Sequence, residues 1–333
     1  MGKTIGIVTW FKNGNYGGTL QAYALQRILE FVGYNCEFID FCPEAKSVTN
    51  KVIRFLKDIA IFLYKPKLYQ SRRKIYKFVE DNLKVSPPYY TYSQLRDTAN
   101  ERYVAAICGS DQIWSNAGGK INPLYYLTFI DEKKRIAYAP SIGYNQIPTK
   151  IIDIFKKYVN EIIFLSVREK HGAVLIKEAT GRDAHVVLDP SLLLTKEQWE
   201  KEIQQARKQC EKILPKKGYI FCYFLGNNPE YIKYAHRLSE LTGYPLVSVE
   251  SKRLFLPNVK KVIADPFDFL YILYNASYVL TDSFHGTALS INLGKQFGVF
   301  KRFSDDDPIC QNSRVYNILE MTCLEKRLVS SET

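Results

Sequence analysis

The sequence predicts an α/β protein built as two facing Rossmann-like domains, each a doubly wound parallel sheet, with a cleft between them. Three observations lead there. Short apolar runs alternate with helical stretches, the pattern resets near Thr195, and Gly- or Ser-bearing corners follow the apolar runs. The 333 residues suit two domains of roughly 150 residues each, with boundaries read at 1–195 and 196–333.

In order, residues 4–10 read as the first strand, a Gly/Asn loop follows, a helix covers about 18–31, and 35–41 form the second strand, a βαβ opening. Residues 48–84 are helical and basic, an insertion reaching to about residue 100, and Pro87-Pro88 forces a break behind the helical stretch. Strands at 103–108, 135–139, 162–167 and 184–188 complete the first half. A charged helix from Thr195 and the hinge Pro215-Lys216-Lys217-Gly218 lead to the second. Its strands are expected at 219–225, 245–249, 278–280 and 297–300, with helices near 229–241, 266–275 and 285–293.

Composition narrows the function classes. Hydrophobic residues make up 46% and charged residues 24%, an ordinary folded composition. The net charge of +12 favours anionic partners. No helix-turn-helix, zinc-finger or RNA-recognition pattern accompanies that charge, so nucleic acid is not expected. The seven cysteines lack ligand spacing and read as reduced thiols of a cytoplasmic protein, and the first strand leaves no room for a signal peptide. The apolar stretch 59–64 is too short to span a bilayer but suits contact with a membrane surface.

Several strand ends carry candidate chemistry. The run ending at Leu280 breaks at Asp282-Ser283-Phe284-His285-Gly286-Thr287 and resumes as a small-residue helix, which sets the His285 imidazole beside a helix N-terminus. Free N–H groups of Gly286 and Thr287 are expected to face outward there and receive phosphate or carboxylate. The loop Asn13-Gly14-Asn15-Tyr16-Gly17-Gly18-Thr19-Leu20-Gln21 follows the first strand, opens the first helix and serves either substrate binding or tight-turn packing; it is neither a P-loop nor a dinucleotide fingerprint. Asp111 can take a proton from a sugar hydroxyl while Trp114 stacks on the ring, or the pair is an N-cap and a core tryptophan. Arg168 ends a buried strand, where its fork suits an anion or an acidic neighbour. Four scattered histidines offer no metal-ligand spacing, so no metal is expected.

Taken in order, Gly14-Asn15-Tyr16-Gly17-Gly18-Thr19-Leu20-Gln21, Gly109-Ser110-Asp111-Gln112-Ile113-Trp114, Ser166-Val167-Arg168-Glu169, Asp189-Pro190-Ser191 and Thr281-Asp282-Ser283-Phe284-His285-Gly286 resemble the polysaccharide pyruvyl transferase family. The resemblance implies a GT-B-like pair of domains, with acceptor on the N-terminal side and donor on the C-terminal side. It implies transfer of pyruvate from phosphoenolpyruvate, a co-substrate rather than a cofactor, onto two sugar hydroxyls as a cyclic ketal in capsule or exopolysaccharide assembly. His285 is then the general acid and Asp111 the base. Arg168, Ser283, Gly286 and Thr287 hold the donor, and Asn15, Tyr16, Gly17, Gly18, Gln21 and Trp114 the acceptor. Ketal-forming relatives often carry Arg where this chain has Ser283, so Arg302 or Arg314 is expected to supply the missing charge. A lipid-linked oligosaccharide at the inner face of the cell membrane would suit the basic insertion. The competing reading is a GT-B glycosyltransferase using a nucleotide sugar; a non-catalytic role in an assembly complex ranks third.

Overall fold

In the computed structural model, which describes residues 4–43, 48–115, 119–204, 206, 210–250, 256–305, 307 and 310–329, the strands form two parallel sheets. β1 (Thr4–Val8), β2 (Asn35–Phe38), β3 (Ala105–Cys108), β4 (Arg135–Ala137), β5 (Phe164–Val167) and β6 (His185–Val186) lie in the order β2-β1-β3-β4-β5-β6. β7 (Ile220–Tyr223), β8 (Leu246–Val249), β9 (Lys260–Val262), β10 (Tyr278–Thr281), β11 (Phe297–Phe300) and β12 (Leu328–Val329) form the second sheet, in the order β12-β11-β10-β7-β8-β9. The central strands are buried on both faces, which is why they read as unbroken apolar runs. β9 and β12, which no periodicity announced, are the two edges of the second sheet. β9 begins Lys260-Lys261, and lysines guard an edge against further pairing.

Helix starts follow local chemistry. Asn15 caps the helix Tyr16–Phe31, its side chain accepting from the N–H groups of Gly17 at 2.9 Å and Gly18 at 3.3 Å. Asp265 and Asp268 form a reciprocal cap on Pro266–Asn275, with proline at the first helical position. Ser283 caps Phe284–Asn292. The basic insertion comprises the helices Val48–Tyr64, Pro66–Asn82 and Tyr92–Arg102.

The two halves share one apolar core. Tyr16 stacks on Phe269 with ring centroids 4.8 Å apart, and Tyr23 meets Phe267 edge-on at 5.3 Å. Phe78, from the insertion, packs on Phe267 at 4.7 Å. The insertion thus joins the halves rather than decorating the first, and Lys74 adds an ion pair to the buried Asp268 at 2.9 Å. This aromatic seam fixes how the C-terminal strand ends of one sheet face those of the other, where ligands of doubly wound sheets bind.

Candidate active site

Four strand ends of the first sheet meet the loop after β10. Arg168, the residue after β5, and Asp189, three residues after β6, are buried and joined at 2.8 Å through Nη1 and Oδ2. Ser110 donates to the same Oδ2 at 2.6 Å. Oδ1 accepts from the Ser191 N–H at 2.9 Å and its hydroxyl at 2.7 Å. Burial alone would push this carboxyl upward; His285, Arg168 and Ser110 outweigh it and hold Asp189 far below the usual carboxylate range.

The Arg168 guanidinium lies over the Phe284 ring, 4.0 Å from its centroid, a cation–π contact that joins the halves. Its Nε and Nη2 are buried without hydrogen-bond partners. Nε has the carboxylate of Glu169 at 3.8 Å. Glu169 spends Oε1 on the Ser141 hydroxyl at 2.7 Å, and its Oε2, the atom that faces Arg168 Nε, takes no hydrogen bond from any described residue.

His285 is buried, with Nε2 3.7 Å from Asp189 Oδ2 and no hydrogen-bond partner. Gly17 packs flat on its ring: a Cβ on Gly17 would stand 2.5 Å from His285 Cβ, Cγ and Nδ1. Gly17→Ala is therefore expected to displace the imidazole and cost about 1–3 kcal/mol of stability, readable by urea titration.

Asp111 takes a left-handed backbone, φ 74, which aspartate tolerates better than most side chains. Its carbonyl accepts from the Ser141 N–H at 2.8 Å, and its carboxylate accepts from the Gln112 N–H at 2.9 Å. It is nearly enclosed beside Gly18. The Gln112 side chain crosses to the other half and donates to Gln311 Oε1 at 2.8 Å. That same oxygen accepts from Arg314 Nη2 at 3.1 Å.

Arg314 is the unusual member. It is buried, and no carboxylate among the described residues pairs with it. Burial, with repulsion from Arg168 and Arg302, lowers the guanidinium from its ordinary range to about 9. Arg314→Met is expected to remove a desolvated, like-charge-flanked cation and raise stability by about 1–2 kcal/mol, seen as a higher melting temperature. Arg302 bridges to the neighbouring Asp282, Nε to Oδ2 at 3.3 Å and Nη2 to the carbonyl at 2.9 Å. Asp282 also accepts from the N–H groups of Leu225 and Gly226, both at 2.7 Å, so it ties the β7 and β10 loops together.

Arg302 stands between two cavities. One lies beside Asp282, Phe284 and Arg314. The other is a cleft of about 310 Å³ between the halves, lined by Asn15, Tyr16, Arg72, Tyr223, Glu250 and Arg302 among others.

The structure thus brings His285, Asp111, Arg168, Arg302 and Arg314 together, and it revises other expectations. The Gly286 N–H is taken by the Ser283 hydroxyl at 3.4 Å, and the Thr287 N–H by the Ser283 carbonyl at 2.9 Å. Neither faces outward as an anion cradle. A Cβ on Gly286 would meet Thr281 Oγ1 at 2.4 Å, so this helix start lies tight against β10. Ser283 is the cap. Trp114 is fully buried, stacked on Tyr126 at 5.1 Å with its N–H on the Tyr125 carbonyl; its large apolar area belongs to the core and offers no sugar platform. Gln21 turns inward to Thr9 and the Gly18 carbonyl, both at 3.0 Å. Tyr16 lines the cleft, yet its hydroxyl is engaged by Ser71 at 2.9 Å and the Ala264 carbonyl at 3.1 Å. Gly17 and Gly18 act by closeness to His285 and Asp111.

Sequence reasoning gave no role to Asp189, Ser110, Asp282 or Gln311, and named Glu169 only as an ion-pair partner for Arg168, which it is at 3.8 Å. Asp189 and Ser110 had a signal, since each is a polar residue directly behind an apolar run, whereas Gln311 had none.

A sequence model described as polysaccharide pyruvyl transferase matches residues 15–302. No curated protein matches the sequence. Among solved structures, UDP-GlcNAc 2-epimerase of Methanocaldococcus jannaschii, in complex with UDP-GlcNAc and UDP, aligns at 12% identity and a TM-score of 0.52, over 98% of this chain and 94% of that one. The epimerase of Neisseria meningitidis, bound to UDP-GlcNAc, aligns at 8% identity and a TM-score of 0.53, over 98% and 92%. A putative UDP-N-acetylglucosamine 2-epimerase from Listeria monocytogenes gives 10% identity and a TM-score of 0.51, over 98% and 89%. At these identities the likeness is one of fold, the GT-B arrangement of two parallel sheets.

Proposed function

Since the chain belongs to the polysaccharide pyruvyl transferase family, we propose that it moves pyruvate from phosphoenolpyruvate onto two hydroxyls of a sugar, such as a hexose in a lipid-linked oligosaccharide, as a cyclic ketal. One observation carries this reading. Arg314 is buried near Arg168 and Arg302 and pairs with no carboxylate among the described residues, so an anionic substrate would supply the direct partner it lacks. Phosphoenolpyruvate has both a phosphate and a carboxylate for guanidinium groups to grip. Arg314, with Arg302 beside it, would supply the charge that relatives carry where this chain has Ser283.

Each step falls to a named group. His285 protonates the methylene carbon, and C2 becomes electrophilic. A sugar hydroxyl adds to C2 while Asp111 accepts its proton. Phosphate leaves with the electron pair of the C2–O bond, and the second hydroxyl adds to C2 and closes the ring, returning its proton to His285. Asp189 does not touch the reactants; it lies 3.7 Å from His285 Nε2 and holds Arg168 at 2.8 Å, which positions both groups. The larger cleft, lined by Asn15 from one half and by Glu250 and Arg302 from the other, suits the acceptor sugar.

The test is incubation of the chain with phosphoenolpyruvate and a panel of hexose-bearing acceptors, following phosphate release and acceptor mass. The reading predicts one phosphate released for each acceptor that gains the mass of pyruvic acid less one water. Transfer of a hexose from a nucleotide sugar, with phosphoenolpyruvate untouched, would replace it with glycosyl transfer.

A further inference from the structure

We infer that the helical hairpin Val48–Tyr64 and Pro66–Asn82 docks on an anionic lipid surface. Ile53, Leu56, Ile59 and Leu63 recur at intervals of three and four and so share one face of the first helix. All four are exposed, Leu56 at 57% and Leu63 at 66%, and Tyr64 extends the patch at 84%. A run of apolar side chains left in water on one helix marks a partner.

The chemistry of that partner follows from charge. Between Lys51 and Lys77 the chain carries nine Lys or Arg against one acidic residue, Asp58. Lys65, Lys67, Arg72 and Arg73 enter no ion pair with any described residue, and all but Arg72 are exposed. Apolar side chains flanked by unpaired cations match the boundary between acyl chains and anionic headgroups. A second copy of the hairpin would instead bring like charges together. The attachment is peripheral, since no helix among the described residues is long and apolar enough to cross a membrane.

The second helix gives docking a use. Its opposite face enters the shared core through Ile75, Phe78 and Val79, and Leu68, Ser71, Arg72 and Ile75 line the larger cleft. A hairpin resting on lipid would hold that cleft beside the surface, where an acceptor with a lipid tail resides. Docking itself rests on the hairpin alone and stands whether or not the transferred group is pyruvate.

The test is co-sedimentation of the full chain with phosphatidylcholine vesicles, with and without phosphatidylglycerol, at low and high salt. Binding to the anionic vesicles alone, weakened by salt, is expected. Lys65→Glu/Lys67→Glu/Arg73→Glu should weaken it by on the order of a hundredfold. Leu56→Asp/Leu63→Asp should abolish it, with circular dichroism and melting temperature unchanged. Absence of sedimentation with anionic vesicles, or retained binding in both variants, would overturn the inference. So would concentration-dependent self-association, lost in Leu56→Asp/Leu63→Asp, in a chain that ignores vesicles.

Discussion

His285→Gln is expected to lower the turnover of pyruvyl transfer by about 10²–10⁴-fold, the usual contribution of a positioned general acid. Phosphoenolpyruvate affinity should change only a few-fold, because the anion is assigned to the arginines. Nε2 is buried, takes no hydrogen bond from any described residue, and lies 3.7 Å from a carboxylate already committed to Arg168 and Ser110, so no described group competes with a reactant for it. Glutamine fills the same space against Gly17 but cannot cycle a proton. A matched fall in affinity and turnover would point instead to a binding role, and direct titration of the variant separates the two.

The largest expected stability effect belongs to Asp189→Asn. This carboxylate balances Arg168 at 2.8 Å in a buried centre that also contains Arg314, so neutralising it leaves Arg168 only the longer contact to Glu169 at 3.8 Å. A cost of about 3–5 kcal/mol is expected, measured by urea unfolding. The sign with pH is fixed by the direction of the shift. Asp189 is depressed in the folded chain, so its contribution is complete above the ordinary carboxylate range and is lost as pH falls towards the folded value. The gap between wild type and variant should therefore be widest near neutrality and narrow in acid. A gap constant with pH would mean that the variant loses packing rather than charge.

The fold was legible because buried parallel strands leave unbroken apolar runs and helix caps leave Asn, Asp or Ser at defined places. β7, β10 and β11 and the helix Pro266–Asn275 lie where the pattern put them. The edge strands β9 and β12 escaped, being short and half-solvated. Within the site, residue type at a strand end identified His285, Arg168 and Asp111, but not what each touches. Trp114 shares the loop of Asp111, and Gln21 the helix of Gly17 and Gly18, yet both turn inward, which chain order does not encode. The outward N–H groups expected at Gly286 and Thr287 failed because Ser283 caps its own helix. The sequence left Arg302 and Arg314 as alternatives; what distinguishes Arg314 is burial near two other arginines, a property of packing across segments far apart in the chain.

Calorimetric titration of phosphoenolpyruvate into the wild-type chain and into Arg314→Met tests the central claim most directly. Because the variant should be the more stable protein, loss of binding in it could not be charged to unfolding. The account predicts saturable binding to the wild type and at least a tenfold weakening, about 1.4 kcal/mol, in the variant. Equal binding by both, or heat from a nucleotide sugar and none from phosphoenolpyruvate, would contradict it.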